Sequence, residues 1–296
     1  MSNEIANVGN RPADLPAHIP YNPGQLAESM VDLLQYVQPP RLKIIQSMTK
    51  QELKQQFNEG DLLVMPSREV VAPVSLNEFK KPGDEGTPFH IVPVFFYTEY
   101  VAWNPLAAAQ AGQMPFTRER SFDKNSKLAQ KCRTPNMREE PCSECPPDAQ
   151  GNPQKIRNQE HLNFLVALPF HPTLYETPVL MSFSRGEFGT GCSFSSLLSM
   201  RGTSFDCYYN QFVCYTKRRT NAKGNWFGFN IVNPAFPREG EADMRYVSAD
   251  LAEYYKQLYQ AFKEKHAAGL IVSDYEDDEV SGGSTVTVDP NAPAKF

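Results

Sequence analysis

The sequence predicts a mainly β protein of the α+β class, on three observations. Short β-branched or aromatic runs bounded by Pro, Gly or Asp recur from Arg41 onward. One amphipathic helical stripe follows them near residue 250. At 296 residues and 41% hydrophobic content, the chain can bury a core without disulfide staples.

Residues 1–40 read as a flexible arm, rich in Pro, Asn, Ala and Gly and interrupted by Gly9-Asn10-Arg11-Pro12, Ile19-Pro20 and Asn22-Pro23-Gly24. Within it Leu26, Met30, Leu33, Leu34 and Val37 fall at helical spacing, a stripe that can pack on the chain's own body or on a neighbouring copy. Strands are expected at 41–46, 62–65, 91–97, 162–168, 179–184, 205–217 and 226–232. The helix is capped by Ser248, presents Leu251, Tyr254, Tyr255, Leu258 and Phe262, and stops at Gly269. The expected organisation is an arm (1–40), a core (41–269) with an insertion at 118–161, and an acidic tail (270–296).

The net charge of -5 is unevenly placed. Asp274, Glu276, Asp277, Asp278, Glu279 and Asp289 face Lys295 alone, which leaves residues 1–272 with 28 charges of each sign. The composition excludes a collagen, a coiled coil or a fully disordered chain. No apolar run reaches the ~18 residues that span a bilayer, and Met1-Ser2-Asn3-Glu4 begins no secretion signal.

Six cysteines divide into two groups. Cys192, Cys207 and Cys214 lie in apolar, strand-like surroundings and read as core thiols. Cys132, Cys142 and Cys145 fall in a polar, Pro-rich segment with no apparent core. Two thiolates across a C-x2-C turn can share one zinc ion at ~2.3 Å, with a third arriving from a facing segment. The fourth ligand would be His161, at the start of the next strand, with His90 as the alternative. On this reading the insertion is metal-stapled, unable to fold by burial alone.

Positive charge gathers in two places. Residues 116–133 hold Arg118, Arg120, Lys124, Lys127, Lys131 and Arg133 against Glu119 and Asp123. The second is a β-hairpin whose connection carries Lys217, Arg218, Arg219 and Lys223, flanked by Tyr208, Tyr215, Trp226 and Phe229. Cations on loops beside aromatics on strands suit a single-stranded nucleic acid, the first following phosphates and the second stacking on bases. Core packing claims some of the same aromatics, and a one-residue register slip exchanges the faces.

Cys132-x9-Cys142-x2-Cys145, the basic–aromatic hairpin and the acidic tail together resemble the single-stranded DNA-binding proteins of tailed phages, among them the zinc-containing helix-destabilising proteins of T-even phages. The resemblance implies an OB-like β-barrel, one structural Zn2+, and sequence-independent binding and protection of single-stranded DNA in phage replication, recombination and repair. The groove would be lined by Tyr208, Tyr215, Trp226 and Phe229 and edged by Lys217, Arg218, Arg219 and Lys223. Arg118, Arg120, Lys124 and Lys127 would extend the track. It further implies self-association along DNA, docking of replisome proteins by Asp274, Glu276, Asp277, Asp278, Glu279 and terminal Phe296, and residence in the cytoplasm of the infected host. Two departures stand out. The family's histidine precedes its cysteines at short range, and its arm is basic, whereas residues 1–40 carry Arg11 against Glu4, Asp14, Glu28 and Asp32.

No Gly-rich phosphate loop, nucleophile elbow or metal-binding His pair at helical spacing is evident, so an enzyme is not expected. The alternatives are a zinc-containing scaffold of a replication or virion assembly and a metal-dependent nuclease.

Overall fold

The structure, a computed structural model, describes residues 38–271 except 48, 50, 73–84, 202–205, 222–223 and 241. The Leu26–Val37 stripe, Lys223 and the acidic tail lie outside the described residues. Ten strands form one mixed sheet: β1 (Arg41–Ile44), β2 (Leu62–Met65), β3 (Glu69–Ala72), β4 (Phe89–Trp103), β5 (Thr117–Ser121), β6 (Glu139–Pro141), β7 (Lys155–Ala167), β8 (Val179–Phe183), β9 (Phe212–Asn221) and β10 (Gly224–Val232). The helices are α1 (Gln51–Lys54), α2 (Leu106–Gln110), α3 (Lys127–Arg133), α4 (Phe188–Arg201) and α5 (Ala249–Ala267).

The spine is the antiparallel pair β4–β7, whose register runs from Val92↔Ala167 to Trp103↔Arg157. From it the order runs β10-β9-β4-β7-β8-β1-β2-β3, with β5 beside the far end of β4 and β6 beside the start of β7. Among the described residues the one parallel pairing is β1 with β8, where Leu180 N–H donates to Pro40 C=O at 2.7 Å.

One face carries the main core, in which Phe164 meets Phe183 and Phe194, with Leu62, Ile91, Phe212 and Phe229 around them. The other face is covered by α5, which buries Tyr254, Tyr255, Leu258 and Phe262 against Val92, Phe95, Tyr97 and Leu165. The Ser248 hydroxyl accepts from Leu251 N–H at 3.4 Å, and Gly269 leaves the helix at φ +70°, as the sequence predicts.

Among the described residues the expected OB-like barrel is not formed as a closed ladder, since the hydrogen-bonded path ends at β10 and at β3. Side chains occupy the edge of β10 instead. Phe227 N–H donates to Gln46 Oε1 (2.9 Å) while Gln46 Nε2 donates to Phe227 C=O (2.6 Å). Phe229 N–H donates to Glu187 Oε2 (3.1 Å), and Arg219 Nη2 donates to Phe229 C=O (2.6 Å). Gln46→Ala would strip both groups of Phe227 of these partners. A loss of about 1–3 kcal/mol is expected, read from the urea midpoint at unchanged slope.

Three further readings are corrected. First, the segment 118–161, expected to have no core to join, packs part of itself on the sheet. β5 and β6 extend the sheet, and α3 packs Leu128, Ala129 and Cys132 on Tyr100 and Ala102, so Cys132 belongs to a small core. Second, residues 188–201 form a helix absent from the sequence reading. Its stripe of Gly191, Phe194 and Leu198 is thin, but Ser193, Ser195, Ser196 and Ser199 each donate to the carbonyl four residues back. Third, Cys192 is exposed on that helix, whereas Cys214 is buried.

Candidate nucleic-acid interface

The four expected zinc ligands are not gathered. Among the described residues, no three His, Cys, Asp or Glu side chains converge to hold a metal ion. Cys132 points into its core with Sγ 4.0 Å from Val101 O, and burial pushes its thiol up to about 11. Cys142 and Cys145 do meet, with sulfurs 2.9 Å apart, Arg118 Nη1 3.4 Å from Cys142 Sγ and Met114 Sδ 3.4 Å from Cys145 Sγ. Burial raises the Cys142 thiol, but bonding to Cys145, the Glu144 and Cys145 amides and the Arg118 charge bring it below its ordinary value.

His161 lies on β7, buried beside Ser182 Oγ (Nδ1, 3.3 Å) and the ring of Trp103. Burial, then the charges of Arg185, Arg41 and Arg120, lower it to about 3. His90 sits elsewhere, with Nδ1 2.8 Å from Gln211 Nε2 and its ring edge-on to Phe170. Burial lowers His90 and His266 as well. Because the folded His161 rejects a proton that the unfolded chain takes up near pH 6.5, stability is complete above that pH and falls on acidification towards pH 3. At pH 5 the expected loss from His161 is about 2 kcal/mol, and His161→Gln should flatten the pH dependence of the urea midpoint.

The hairpin places its expected contacts unevenly. Tyr208 and Phe229 are core residues, 4% and 6% exposed, and offer no face to a base. Tyr215 accepts from Asn230 Nδ2 at 2.5 Å. Lys217 pairs with Glu85 at 3.0 Å, and Arg218 stands opposite Phe227 in the ladder. Arg219 and Trp226 converge on one carboxylate, since Glu187 Oε1 takes the indole N–H at 3.1 Å and lies 3.5 Å from Arg219 Nε. Gly228 makes room for it, because a Cβ there would meet Glu187 at 2.3 Å. In the other basic segment, Arg120 pairs with the fully buried Glu99 at 3.5 Å, Arg118 is held by Cys142 and Glu144, and Lys124 and Lys127 are exposed.

Two cavities open on either side of the turn before α4, the smaller of them beside this hairpin. The larger, about 920 Å³, is bordered by Arg138, Arg157, Asn158, Arg185 and Phe188. Glu139 and Glu160 also line it, and Glu160 is 3.7 Å from Arg133. The smaller, about 230 Å³, is bordered by Gly186, Thr190, Ser193, Arg219 and Asn230. Both include Gly189, so they flank the turn that starts α4. Arg185 enters that turn at φ +49°, unusual for a residue with a side chain, and open space stands in front of Gly186 and Gly189. Asn158 is 3% exposed; its Nδ2 donates to Met137 O at 2.8 Å, while its Oδ1 has no partner among the described residues. Sequence reasoning missed this channel, and the closely spaced Gly186, Gly189 and Gly191 after Arg185 were the available signal.

Fold and channel define a mainly β protein with a large mixed sheet, and no described helix is long and apolar enough to cross a membrane. Residues 35–268 match the family model described as Pam3 phage gp34-like protein, and the chain belongs to that phage family. Neither a curated protein nor a solved structure matches it.

Proposed function

We propose that the protein binds single-stranded DNA without sequence preference and protects it during phage replication, recombination and repair. The observation that supports this reading is the channel: Arg138, Arg157 and Arg185 border one cavity and Arg219 the other, and the two cavities share Gly189. Guanidinium groups follow phosphates, the partly exposed Phe188 ring can stack on a base, and the Thr190 and Ser193 hydroxyls can reach phosphate oxygens. The track therefore runs along the 185–190 turn, with Arg219 and Asn230 of the hairpin as one bank.

A fluorescence titration tests it, because Trp226 is bonded to Glu187 beside the channel. Poly-dT should bind in preference to duplex DNA, with affinity falling steeply as salt rises. Preference for duplex, or an affinity indifferent to salt, would remove the reading. The acidic tail is assigned to partner docking and to competition with DNA for the channel. Deletion of residues 273–296 is expected to tighten binding several-fold at low salt, with the gain vanishing at high salt. Equal affinities at low salt would exclude the tail from DNA competition.

A further inference from the structure

The triplet Pro-Phe-His occurs twice in the chain, at Pro88-Phe89-His90 and at Pro169-Phe170-His171. The first leads into β4 and the second follows β7, and the antiparallel pairing Val92↔Ala167 brings both to the same end of the spine. With β3 they border a cavity of about 540 Å³, a size that suits a small molecule. Leu168 at this cavity and Asn158 at the channel are separated by most of the length of β7, about 30 Å. Phe170 is 56% exposed and supplies an aromatic wall, its ring edge-on to that of His90. The buried Gln211 donates through Nε2 to Met244 O at 2.9 Å and to His90 Nδ1 at 2.8 Å. A carbonyl can only accept, so Met244 fixes the amide, Nδ1 is an acceptor, and neutral His90 carries its proton on Nε2. Glu69 is held as firmly: Thr173 Oγ1 donates to its Oε1 at 2.6 Å, and His171 Nε2 lies 3.7 Å from the same oxygen. One cavity thus combines an exposed aromatic face, an oriented carboxylate and an imidazole of fixed tautomer.

We infer that this cavity binds a guanine base, stacked on Phe170, with its N–H edge on Glu69 and its O6 accepting from His90 Nε2. Guanine alone among the DNA bases sets two neighbouring donors, N1–H and the exocyclic amine, beside a carbonyl. A carboxylate can take both, because each oxygen has two lone-pair sites and Oε1 can hold Thr173 and still accept. Adenine and cytosine place an acceptor nitrogen beside their single amine, and thymine flanks its N–H with two carbonyls, so each would set a lone pair against the carboxylate. The base can come from a free guanine nucleotide or from a single strand, and the recognition chemistry is the same. The inference does not rest on the channel, which lies at the other end of β7.

The test is isothermal titration calorimetry of the full chain with GMP, IMP and AMP, which share one phosphate and differ in the base. GMP should bind one per chain. IMP, which lacks the exocyclic amine, should bind about 10-fold more weakly, and AMP more weakly still. Glu69→Gln, checked for folding by circular dichroism, should weaken GMP about 5- to 150-fold and erase its preference over IMP. Phe170→Ala, a change at an exposed side chain, should weaken GMP and IMP alike, again about 5- to 150-fold. An oligo-dT strand and the same strand with one central dG separate the two sources. Tighter binding of the dG strand, lost in Glu69→Gln, identifies guanine within DNA, whereas GMP binding with equal affinity for the two strands identifies the free nucleotide. Failure to bind GMP together with indifference to the central dG would overturn the inference. Equal affinities for GMP, IMP and AMP would overturn it too, as would a folded Glu69→Gln variant that binds guanine as tightly as the wild type.

Discussion

Phe164→Ala is expected to destabilise the protein by about 3–5 kcal/mol, the typical cost of emptying a buried phenylalanine site. Phe164 is 2% exposed on the central strand of the spine, and its ring lies 4.7 Å from that of Phe194 and 5.7 Å from that of Phe183. It therefore ties α4 to the sheet. The cavity cannot collapse easily, because Gly191 already sits so close that a Cβ there would lie 2.7 Å from Phe183 Cβ. Urea unfolding should show a lower midpoint at unchanged slope. A loss under about 1 kcal/mol would mean that α4 repacks into the gap. The same change should loosen the channel, whose turn leads directly into α4.

The second large effect is on binding. Arg138→Ala combined with Arg185→Ala removes two exposed guanidinium groups from the channel. On a single strand each phosphate contact adds about -0.7 to the slope of log affinity against log salt, so the slope should become shallower by about 1.4. At moderate salt the affinity for poly-dT should fall on the order of 10- to 100-fold. Lys217→Ala is the contrasting variant, since Lys217 is paired with Glu85 at 3.0 Å and lines neither cavity. If Lys217→Ala weakens binding more than the double variant, the hairpin, not the channel, carries the DNA.

The difference between those two tracks shows where sequence reasoning reached its end. Lys217, Arg219 and Trp226 are conspicuous along the chain, as cations beside aromatics. The structure engages Arg219 and Trp226 with Glu187, 32 and 39 residues away, and Lys217 with Glu85, 132 away. Nothing in a local window signals those carboxylates. The cysteines are a parallel case. Spacing brings Cys142 and Cys145 together because a four-residue turn can hardly do otherwise, but Cys132 sits on a helix whose register turns it towards Tyr100 and Ala102. His161 starts an apolar run, yet its strand sets it among Arg185, Arg41 and Arg120, an environment that disfavours positive charge. Helix α4 escaped because its glycines and serines are poor helix formers, and burial of Phe194 and Leu198 outweighed that local preference.

What the sequence determined alone is whatever repeats within a few residues. The strands around 91–97, 162–168 and 226–232, the capped stripe of α5 with its glycine stop, and the segregation of net negative charge into the last two dozen residues are all such features. Tertiary structure decided the rest. It chose which strand faces turn inward, gave β10 a side-chain border instead of a closed barrel, paired Lys217 and Arg219 with carboxylates, and drew four arginines from distant segments to two cavities that share Gly189. The physical reason is that alternation specifies two faces without saying which is buried, and an ion pair depends on distance in space. Both are settled only when β4 and β7 pair and the helices close over them.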